Sequence, residues 1–341
     1  MSATSQPQPP SPALIFDTLN AYQRTAALHA AVELDLFTAI AEGKKTPTAL
    51  AARIQASEKG ARVLCDFLVI IGFLTKQGNE YSLTSDSSLF LDRKSPAYLG
   101  SITEFLAKVG QETGAFNDLA AVVRKGGTVI GEEGTVSPDN PIWVNFAHTM
   151  APLMFRPSEL IAKIIGADSG QKWKVLDIAA GHGLFGIAIA KNNPNAAIVA
   201  LDWAAVLEVA KENAQKAGVA NRYSTLPGSA FDVDFGSGYD VVLITNFLHH
   251  FDVPTNEALL RKVHAALAPG GRAVTLEFIP NEDRVSPATE ASFAMMMLGT
   301  TAHGDAYTFT EYDRMFRNTG YASSEMHGLS PLPGSVIVSY K

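Results

Sequence analysis

The sequence has few of the features that would tie it to a membrane or to a nucleic acid. Its 341 residues include one cysteine, Cys65, which excludes an internal disulfide and is expected to be a small core residue. No run of about 18 apolar residues is free of charges and helix breakers, so we predict no membrane span. Positive charge is not in excess either, because 27 Lys and Arg stand against 34 Asp and Glu. That balance is unfavourable for binding phosphate backbones, and we predict no nucleic-acid partner.

The first twelve residues also lack charged side chains and the apolar core of a signal peptide. We expect residues 1–12 to be a disordered tail and the protein to be cytoplasmic, in agreement with its single cysteine. Apolar residues, in contrast, make up 47% of the chain, which is enough for a large core. The length favours two domains, which we predict at residues 13–100 and 101–341.

The first predicted domain has a helix–helix–hairpin pattern that is typical of winged-helix units. Thr46 is a good N-cap before Pro47, and Ser57 can cap the next helix. Gly78 and Asn79 favour a tight turn between two short strands. A DNA-binding unit and a packing or dimerisation unit are both possible. The unit is neutral, with nine basic and nine acidic residues through residue 100, which argues against DNA binding.

From residue 174 onward, short apolar runs alternate with helical stretches, which predicts a parallel sheet. The runs are at residues 174–178, 197–201, 241–245 and 273–278. The helices between them are expected at residues 183–191, 204–217 and 256–267. Residues 323–340 favour two further strands around a Pro-Leu-Pro-Gly turn, so an antiparallel hairpin is expected to end the sheet.

The strongest chemical signal is the loop after the first of these strands. Gly181 and Gly183 allow the backbone to approach a ligand closely, and the next helix presents free N–H groups there. Asp202 ends the following strand, where a carboxylate can accept both hydroxyls of a ribose. A nucleoside cofactor is therefore expected. A lone Gly-x-Gly-x-x-Gly match leaves NAD open, but Asp177 and the terminal hairpin argue against it. Asp177 could also only cap a turn.

Several motifs resemble those of class I S-adenosylmethionine-dependent O-methyltransferases of the caffeate and acetylserotonin type. Residues 175–183 resemble the cofactor motif, and residues 31–37 resemble part of the family's dimerisation domain. Three further matches follow: Gly-Ser-Ala-Phe at 228–231 for Gly-Asp-x-Phe, Leu-His-His-Phe at 248–251 for Leu-His-Asp-Trp, and Leu-Ala-Pro-Gly-Gly at 267–271. The resemblance covers residues from about 13 to the C-terminus.

The resemblance implies an α/β fold: a Rossmann-like sheet of seven strands with one reversed strand, behind a winged-helix-like dimerisation domain. It also implies a homodimer, S-adenosylmethionine as cofactor, S-adenosylhomocysteine as product, and no metal. The residues that it assigns to the cofactor are Asp177, Ala179, Gly181, Gly183, Asp202, Trp203, Ser229, Ala230, Phe231 and Asn246. Ser229 stands where the family has an aspartate, so that adenine contact is expected to be weaker.

For catalysis, the resemblance assigns His249 as general base and Glu277 as the acid that orients it. A phenol is a poor nucleophile until its proton is removed, and a histidine with a pKa near ~6.5 can remove it. The family's second supporting acid would fall near Ala306, where neighbouring Asp305 could serve. His249 and His250 could instead be only a polar strand end.

The expected substrate is a small aromatic hydroxyl compound in an apolar pocket. The candidate contacts are Trp143, His148, Met150, Met154, Phe155, Met296 and His303, although ordinary core packing explains the apolar ones equally well. Two other functions stay open. One is a non-methylating reaction on the same fold, such as decarboxylation, hydroxylation or a pericyclic step. The other is a non-enzymatic regulator that uses the winged-helix-like unit.

Overall fold

The computed structural model describes residues 10–107, 109 and 114–341. The chain divides into two compact units, of which the first ends at Lys108 and the second begins at Val109. The predicted boundary after residue 100 stays a prediction for the functional domains. Most of the predicted tail, residues 1–9, lies outside the described residues, and residues 10–12 are exposed.

The first unit is helical with one hairpin. Its elements are α1 (Ala13–Leu19), α2 (Ala21–Glu33), α3 (Leu36–Ala41), α4 (Pro47–Arg53), α5 (Glu58–Ile70), β1 (Leu74–Gln77), β2 (Glu80–Leu83), α6 (Ser85–Phe90) and α7 (Ile102–Leu106). The predicted caps are confirmed, since Thr46 accepts a hydrogen bond from Ala49 N–H and Ser57 accepts one from Gly60 N–H. The predicted hairpin is confirmed too, with Gly78 at a φ of 58° in its turn. The order α4, α5, β1, β2 is the winged-helix pattern.

The core of this unit and its first helix, α1, differ in how far their apolar side chains are buried. Its core is formed by buried residues of α2 to α5 and the hairpin, among them Phe37, Leu50 and Cys65. Helix α1, in contrast, buries none of its residues, and Leu14 and Phe16 are 76% and 61% exposed. Apolar side chains on a helix with no covering element indicate a contact surface.

The second unit alternates helices with strands. Its helices are α8 (Leu119–Lys125), α9 (Ile142–Thr149), α10 (Ala151–Ile164), α11 (Leu184–Asn192), α12 (Ala204–Lys216), α13 (Val253–Ala266), α14 (Ala288–Thr300) and α15 (Phe309–Asn318). Its strands are β3 (Lys174–Ile178), β4 (Ala197–Asp202), β5 (Tyr223–Pro227), β6 (Tyr239–Thr245), β7 (Leu267–Glu277), β8 (Ser323–Gly328) and β9 (Ser335–Tyr340).

These strands form one seven-stranded sheet in the order β5-β4-β3-β6-β7-β9-β8. Strands β3 to β7 are mutually parallel, and β9 pairs antiparallel with both β7 and β8, so the predicted reversed strand is confirmed. Val175 and Leu243 pack on one face, whereas Leu176 and Val242 pack on the other. Burial of the sheet on both faces explains why its central strands are rich in apolar residues.

The sheet order positions the site. The chain runs from β3 to β4 and β5 on one side, and then returns to place β6 on the other side of β3. Ligands of open α/β sheets bind at the carboxyl ends of the strands beside such a reversal. The segments that leave β3, β4, β6 and β7 at this edge are those that contain the predicted cofactor and catalytic residues.

Candidate active site

The glycine loop connects β3 to α11 at the carboxyl edge of the sheet. Ala179, Gly181 and Gly183 all have positive φ, at 52°, 56° and 75°. A Cβ on Gly183 would lie 2.6 Å from the hydroxyl oxygen of Tyr223, so a side chain has no room there. Left-handed backbone at Ala179 costs roughly 1–3 kcal/mol, and such strain is typically found at functional sites. The loop thus holds a fixed, close approach of backbone to any ligand above it.

Asp177 lies beneath this loop and is completely buried. Its Oδ2 accepts a hydrogen bond of 3.0 Å from the N–H of Gly186 in the first turn of α11. Its Oδ1 has no hydrogen-bond partner among the residues that the structure describes. Burial raises the pKa of Asp177 to about 8, despite the opposing effect of the Gly186 hydrogen bond. Asp177 therefore makes the turn-capping contact that the sequence analysis gave as an alternative role. This contact uses only one of its two carboxylate oxygens.

Asp202 connects the end of β4 to the glycine loop. Its Oδ2 accepts the N–H of Gly181 at 2.8 Å, and its Oδ1 accepts the N–H of Trp203 at 2.7 Å. Burial raises its pKa to about 6 against these two hydrogen bonds. Each carboxylate oxygen has a further lone pair, so the two bonds orient the group without saturating it.

The segment predicted to border the adenine follows β5. Ser229 Oγ accepts the N–H of Phe231 at 3.1 Å, which stabilises the turn. Lys262 donates to the carbonyl oxygens of Ala230 and Phe231, both at 3.0 Å. The Phe231 ring is partly exposed and meets the Phe251 ring edge-to-face at 5.0 Å.

Trp203 and Asn246 complete the predicted cofactor set. Trp203 packs with Trp143 against a small buried cluster that includes Val206. Asn246 follows β6 with a φ of 51°, and asparagine is one of the non-glycine residues that best tolerate this conformation. Its side-chain amide lies 3.8 Å from the sulfur of Met154. A predicted cofactor residue and a predicted substrate residue are thus in contact.

His249 and Glu277 form a buried pair at the ends of β6 and β7. The Nδ1 of His249 is hydrogen bonded to the Oε2 of Glu277. The Oε1 of Glu277 accepts the N–H groups of Phe247 and Leu248, at 3.1 and 2.9 Å, which orients the carboxylate. Because this acceptor faces Nδ1, Nδ1 carries the ring proton of neutral His249. The Nε2 atom has no hydrogen-bond partner among the described residues and can accept a proton.

Three aromatic side chains around this pair were not identified from the sequence as site residues. The His249 ring meets Phe293 edge-to-face at 4.8 Å and lies 4.2 Å from the His250 ring. Phe293 in turn stacks on Phe278 at 4.3 Å. Phe293 lies one helical turn before the predicted Met296, and this spacing was the available signal.

Asp305 lies near His249 in a different way from that predicted. Its backbone N–H donates to the carbonyl oxygen of His249 at 2.9 Å. Its carboxylate accepts the N–H of Ala306 at 2.8 Å and lies 3.4 Å from Arg284. The structure therefore does not bring this carboxylate to the His249 ring, and a catalytic role for Asp305 stays a prediction.

The predicted substrate residues fall into two groups. Trp143 meets the His250 ring edge-to-face at 5.3 Å, Met154 contacts Asn246, and Met296 lies on the helix that contains Phe293. Met150 is buried at the junction of α9 and α10.

The remaining three predicted substrate residues, Phe155, His148 and His303, are exposed. Phe155 lies beside Lys191 of α11, with the ammonium 5.9 Å from the ring centroid. Substrate contacts by these three residues stay predictions.

Residues 10–107, 109 and 114–341 contain no cluster of His, Cys, Asp and Glu that could hold a metal ion. No helix in this described part of the chain is long and apolar enough to cross a membrane.

Two family models match the chain. The O-methyltransferase domain matches residues 167–322, and the O-methyltransferase dimerisation domain matches residues 16–93. The solved structure of a Nostoc punctiforme protein assigned to the O-methyltransferases is 55% identical, with a TM-score of 0.93, and the match covers 98% of this chain and all of that chain. These matches define the class as methyltransferases with a Rossmann-like sheet.

Other relatives agree with this class. The chain is 27% identical over 314 residues to 3-hydroxy-5-methyl-1-naphthoate 3-O-methyltransferase of Streptomyces sahachiroi, covering 91% of this chain and 89% of that protein. Human N-acetylserotonin methyltransferase, solved with S-adenosylmethionine, shares the fold at a TM-score of 0.82 and 21% identity, with 99% of both chains covered. The chain belongs to the S-adenosylmethionine-dependent O-methyltransferase family, and the resemblance seen in its sequence is confirmed.

Proposed function

We propose that the protein methylates a hydroxyl group of a small aromatic metabolite, with S-adenosylmethionine as methyl donor and His249 as general base. The observation that carries this proposal is the buried His249–Glu277 pair at the carboxyl edge of the sheet. Its Nδ1 is held by a carboxylate and its Nε2 is open, which is the arrangement that a general base requires.

The residues at the glycine loop fit this cofactor better than a dinucleotide. The loop contains no Lys or Arg that could neutralise a pyrophosphate, whereas two buried carboxylates, Asp177 and Asp202, lie beneath and beside it. A buried carboxylate with an unpartnered oxygen favours a ligand with positive charge. S-adenosylmethionine carries an ammonium and a sulfonium group and has no phosphate.

We therefore assign the cofactor to the residues that the sequence indicated. We assign the ribose diol to Asp202, and the methionine end to Asp177 and the backbone of residues 179–183. Trp203, Ala230 and Phe231 supply apolar surface for the adenine, and Asn246 supplies an amide near the methionine end. When bound, the cofactor supplies an electrophilic methyl group.

The protein's own contribution is to move one proton. As the substrate oxygen forms its bond to the methyl carbon, its proton passes to Nε2 of His249. The imidazolium that results is stabilised by the Glu277 carboxylate, which is itself held by two backbone N–H groups. Phe293 and His250 cover the sides of the His249 ring and limit the access of water to it.

An aromatic substrate is supported by the residues near this base. Trp143, Phe293, Met154 and Met296 supply flat or adaptable apolar surface. The Streptomyces sahachiroi relative acts, by its name, on a hydroxynaphthoate. A bicyclic phenol is therefore a reasonable first probe.

We also propose a homodimer that forms through the N-terminal unit. The dimerisation-domain match covers residues 16–93, which include most of α1. The apolar side chains that α1 leaves uncovered are the surface that a second copy would bury.

The central test compares His249→Ala with His327→Ala, a change at a partly exposed histidine on strand β8. We expect His249→Ala to lower turnover of hydroxynaphthalenes at least about 100-fold, because a general base contributes that much. Calorimetry should show unchanged affinity for S-adenosylhomocysteine in both variants.

Unchanged turnover in His249→Ala would contradict the assigned base. Binding of NAD without binding of S-adenosylhomocysteine would contradict the assigned cofactor, and a product without an added methyl mass would favour the non-methylating alternative.

A further inference from the structure

The backbone that supports His249 is a single short turn between β6 and α13. Leu248–His250 form this turn, which is a 3-10 helix of three residues. Such turns have poorer hydrogen-bond geometry than an α-helix. The position of the His249 ring therefore depends on contacts between the turn and the rest of the fold. Glu277 supplies two of them, because it accepts the N–H groups of Phe247 and Leu248.

The carbonyl groups of this turn are held by Asn256. This residue lies in the first turn of α13 and is completely buried. Its side-chain amide donates to the carbonyl oxygen of Leu248 at 2.9 Å and to that of Phe251 at 3.2 Å. Leu248 and Phe251 flank His249 and His250 in the chain, so one amide group joins both ends of the turn.

The orientation of the Asn256 amide follows from its partners. A carbonyl oxygen accepts hydrogen bonds only, so the amide nitrogen must face both of them. Its Oδ1 is then buried without a hydrogen-bond partner among the described residues. A buried acceptor without a partner costs stability, and asparagine is also a poor helix former. The contacts with the turn thus explain this asparagine better than the stability of α13 does.

Two other contacts support the same turn. The N–H of Asp305 donates to the carbonyl oxygen of His249 at 2.9 Å. The hydroxyl of Tyr307 donates to the carbonyl oxygen of Phe251 at 2.7 Å. Each of these contacts holds one point of the turn. Asn256 differs from both, because its side chain bonds the first and the last carbonyl together.

We propose that Asn256 is a positioning residue for the general base, because it joins Leu248 to Phe251 and so fixes the turn that holds the His249 ring against Glu277. The proposal rests on the function proposed above and adds a residue to it. Both hydrogen bonds of the Asn256 amide go to the backbone, so this residue acts through the turn and not on the substrate. A shift of about 1 Å in a catalytic group can lower turnover about 100-fold.

The test compares Asn256→Leu with Asn193→Leu. Leucine branches at the same carbon as asparagine but has no donor. Asn193 is also completely buried and donates to the carbonyl oxygen of Gln171 at 2.9 Å, but it lies between α11 and β4, at the other edge of the sheet. We expect Asn256→Leu to lower kcat for a hydroxynaphthalene about tenfold, since the turn keeps its other contacts. KM and the affinity for S-adenosylhomocysteine should not change, and Asn193→Leu should leave kcat unchanged.

The same change in His249→Ala separates positioning from a general loss of structure. A residue that acts through His249 has no further effect once the imidazole is absent. Residual transfer from radiolabelled S-adenosylmethionine should therefore be equal in His249→Ala and in the double variant. A similar loss in both backgrounds overturns the proposal, as does an unchanged kcat in Asn256→Leu.

A second variant at the same position covers a failure to fold. Asn256→Asp keeps the shape of the side chain and can donate at most one hydrogen bond. It should lower kcat in the same His249-dependent way. This variant decides the question if Asn256→Leu does not bind S-adenosylhomocysteine.

A readout without turnover makes failure of this proposal distinguishable from failure of the proposed function. The Cε1–H resonance of His249 is identified by its loss in His249→Ala and is recorded with S-adenosylhomocysteine bound. We expect it to shift in Asn256→Leu, because the ring moves relative to Phe293, and to stay in place in Asn193→Leu. An unchanged resonance in Asn256→Leu overturns the proposal. If the resonance shifts but the wild-type protein methylates no hydroxyl compound, the proposed function fails and the assignment of Asn256 to the His249 turn stands.

Discussion

The buried carboxyl of Asp177 makes a prediction about the stability of the ligand-free protein. The folded state raises its pKa to about 8 from 3.8, chiefly by burial, so the folded protein holds a proton that the unfolded chain has lost at neutral pH. Stability from this group is fully present below the unfolded pKa and is lost as the pH rises toward 8. Between pH 5 and pH 8, the loss is roughly 3 to 4 kcal/mol of unfolding free energy, at 1.36 kcal/mol per pKa unit.

The substitution Asp177→Asn removes this dependence with little change of shape. The amide oxygen can accept the N–H of Gly186, and the amide nitrogen takes the position of the unpartnered Oδ1. The groups that face Asp177 are Asp202, whose charge raises its pKa, and Tyr223, whose hydroxyl is buried without a partner. We expect the variant to gain stability relative to wild type as the pH rises.

The assay is urea unfolding without ligand at pH 5, 6, 7 and 8, followed by circular dichroism, with the exposed Asp168→Asn as control. The quantity of interest is the difference in unfolding free energy between variant and wild type at each pH. A difference that is the same at pH 5 and pH 8 would refute the protonated state of Asp177, because an ionised buried carboxylate gives no slope. A slope that appears also in Asp168→Asn would assign the effect elsewhere.

Three further predictions follow from the same site and from α1. Glu277→Gln should lower turnover at least about tenfold in initial-rate assays, because the carboxylate that orients His249 is lost; unchanged turnover would contradict this role. Gly183→Ala should abolish binding of S-adenosylhomocysteine in calorimetry, since a Cβ would lie 2.6 Å from the Tyr223 hydroxyl at a φ of 75°, and Tyr223→Phe in the same chain should restore part of it. The pair Leu14→Ser and Phe16→Ser should convert a dimer to a monomer in analytical ultracentrifugation, and an unchanged mass would argue against α1 as the interface.

The sequence predicted most of the sheet because its strands are buried on both faces. Strands β3, β4 and β6 consist mostly of apolar residues, and each appears within a few residues of its predicted position. Strand β5 was not predicted, since an edge strand with Ser224 and Thr225 at its centre has no such run. The last parallel strand was predicted to begin at residue 273, yet β7 begins at Leu267, which pairs with Tyr239 before the register shifts.

The candidate site was only partly predictable, for a physical reason. Residues that follow a strand end, such as Asp202 and His249, are placed by local chain order alone. Phe293 approaches His249 from a helix 44 residues later in the chain, and no local pattern specifies that contact. For Asp305, the chain position indicated proximity to His249 but not which group makes the contact. The backbone N–H of Asp305, not its carboxylate, is hydrogen bonded to His249.

The two adjacent histidines show how a partner at one ring nitrogen assigns a role to the other. At His249, the Nδ1 partner is a carboxylate, which orients the ring and leaves the lone pair on Nε2. At His250, the Nδ1 partner is a neutral carbonyl in a buried position, which fixes the same tautomer but leaves the protonated ring unfavourable. The two rings, whose centroids are 4.2 Å apart, thus differ in the group that holds Nδ1 and in the environment that this group creates.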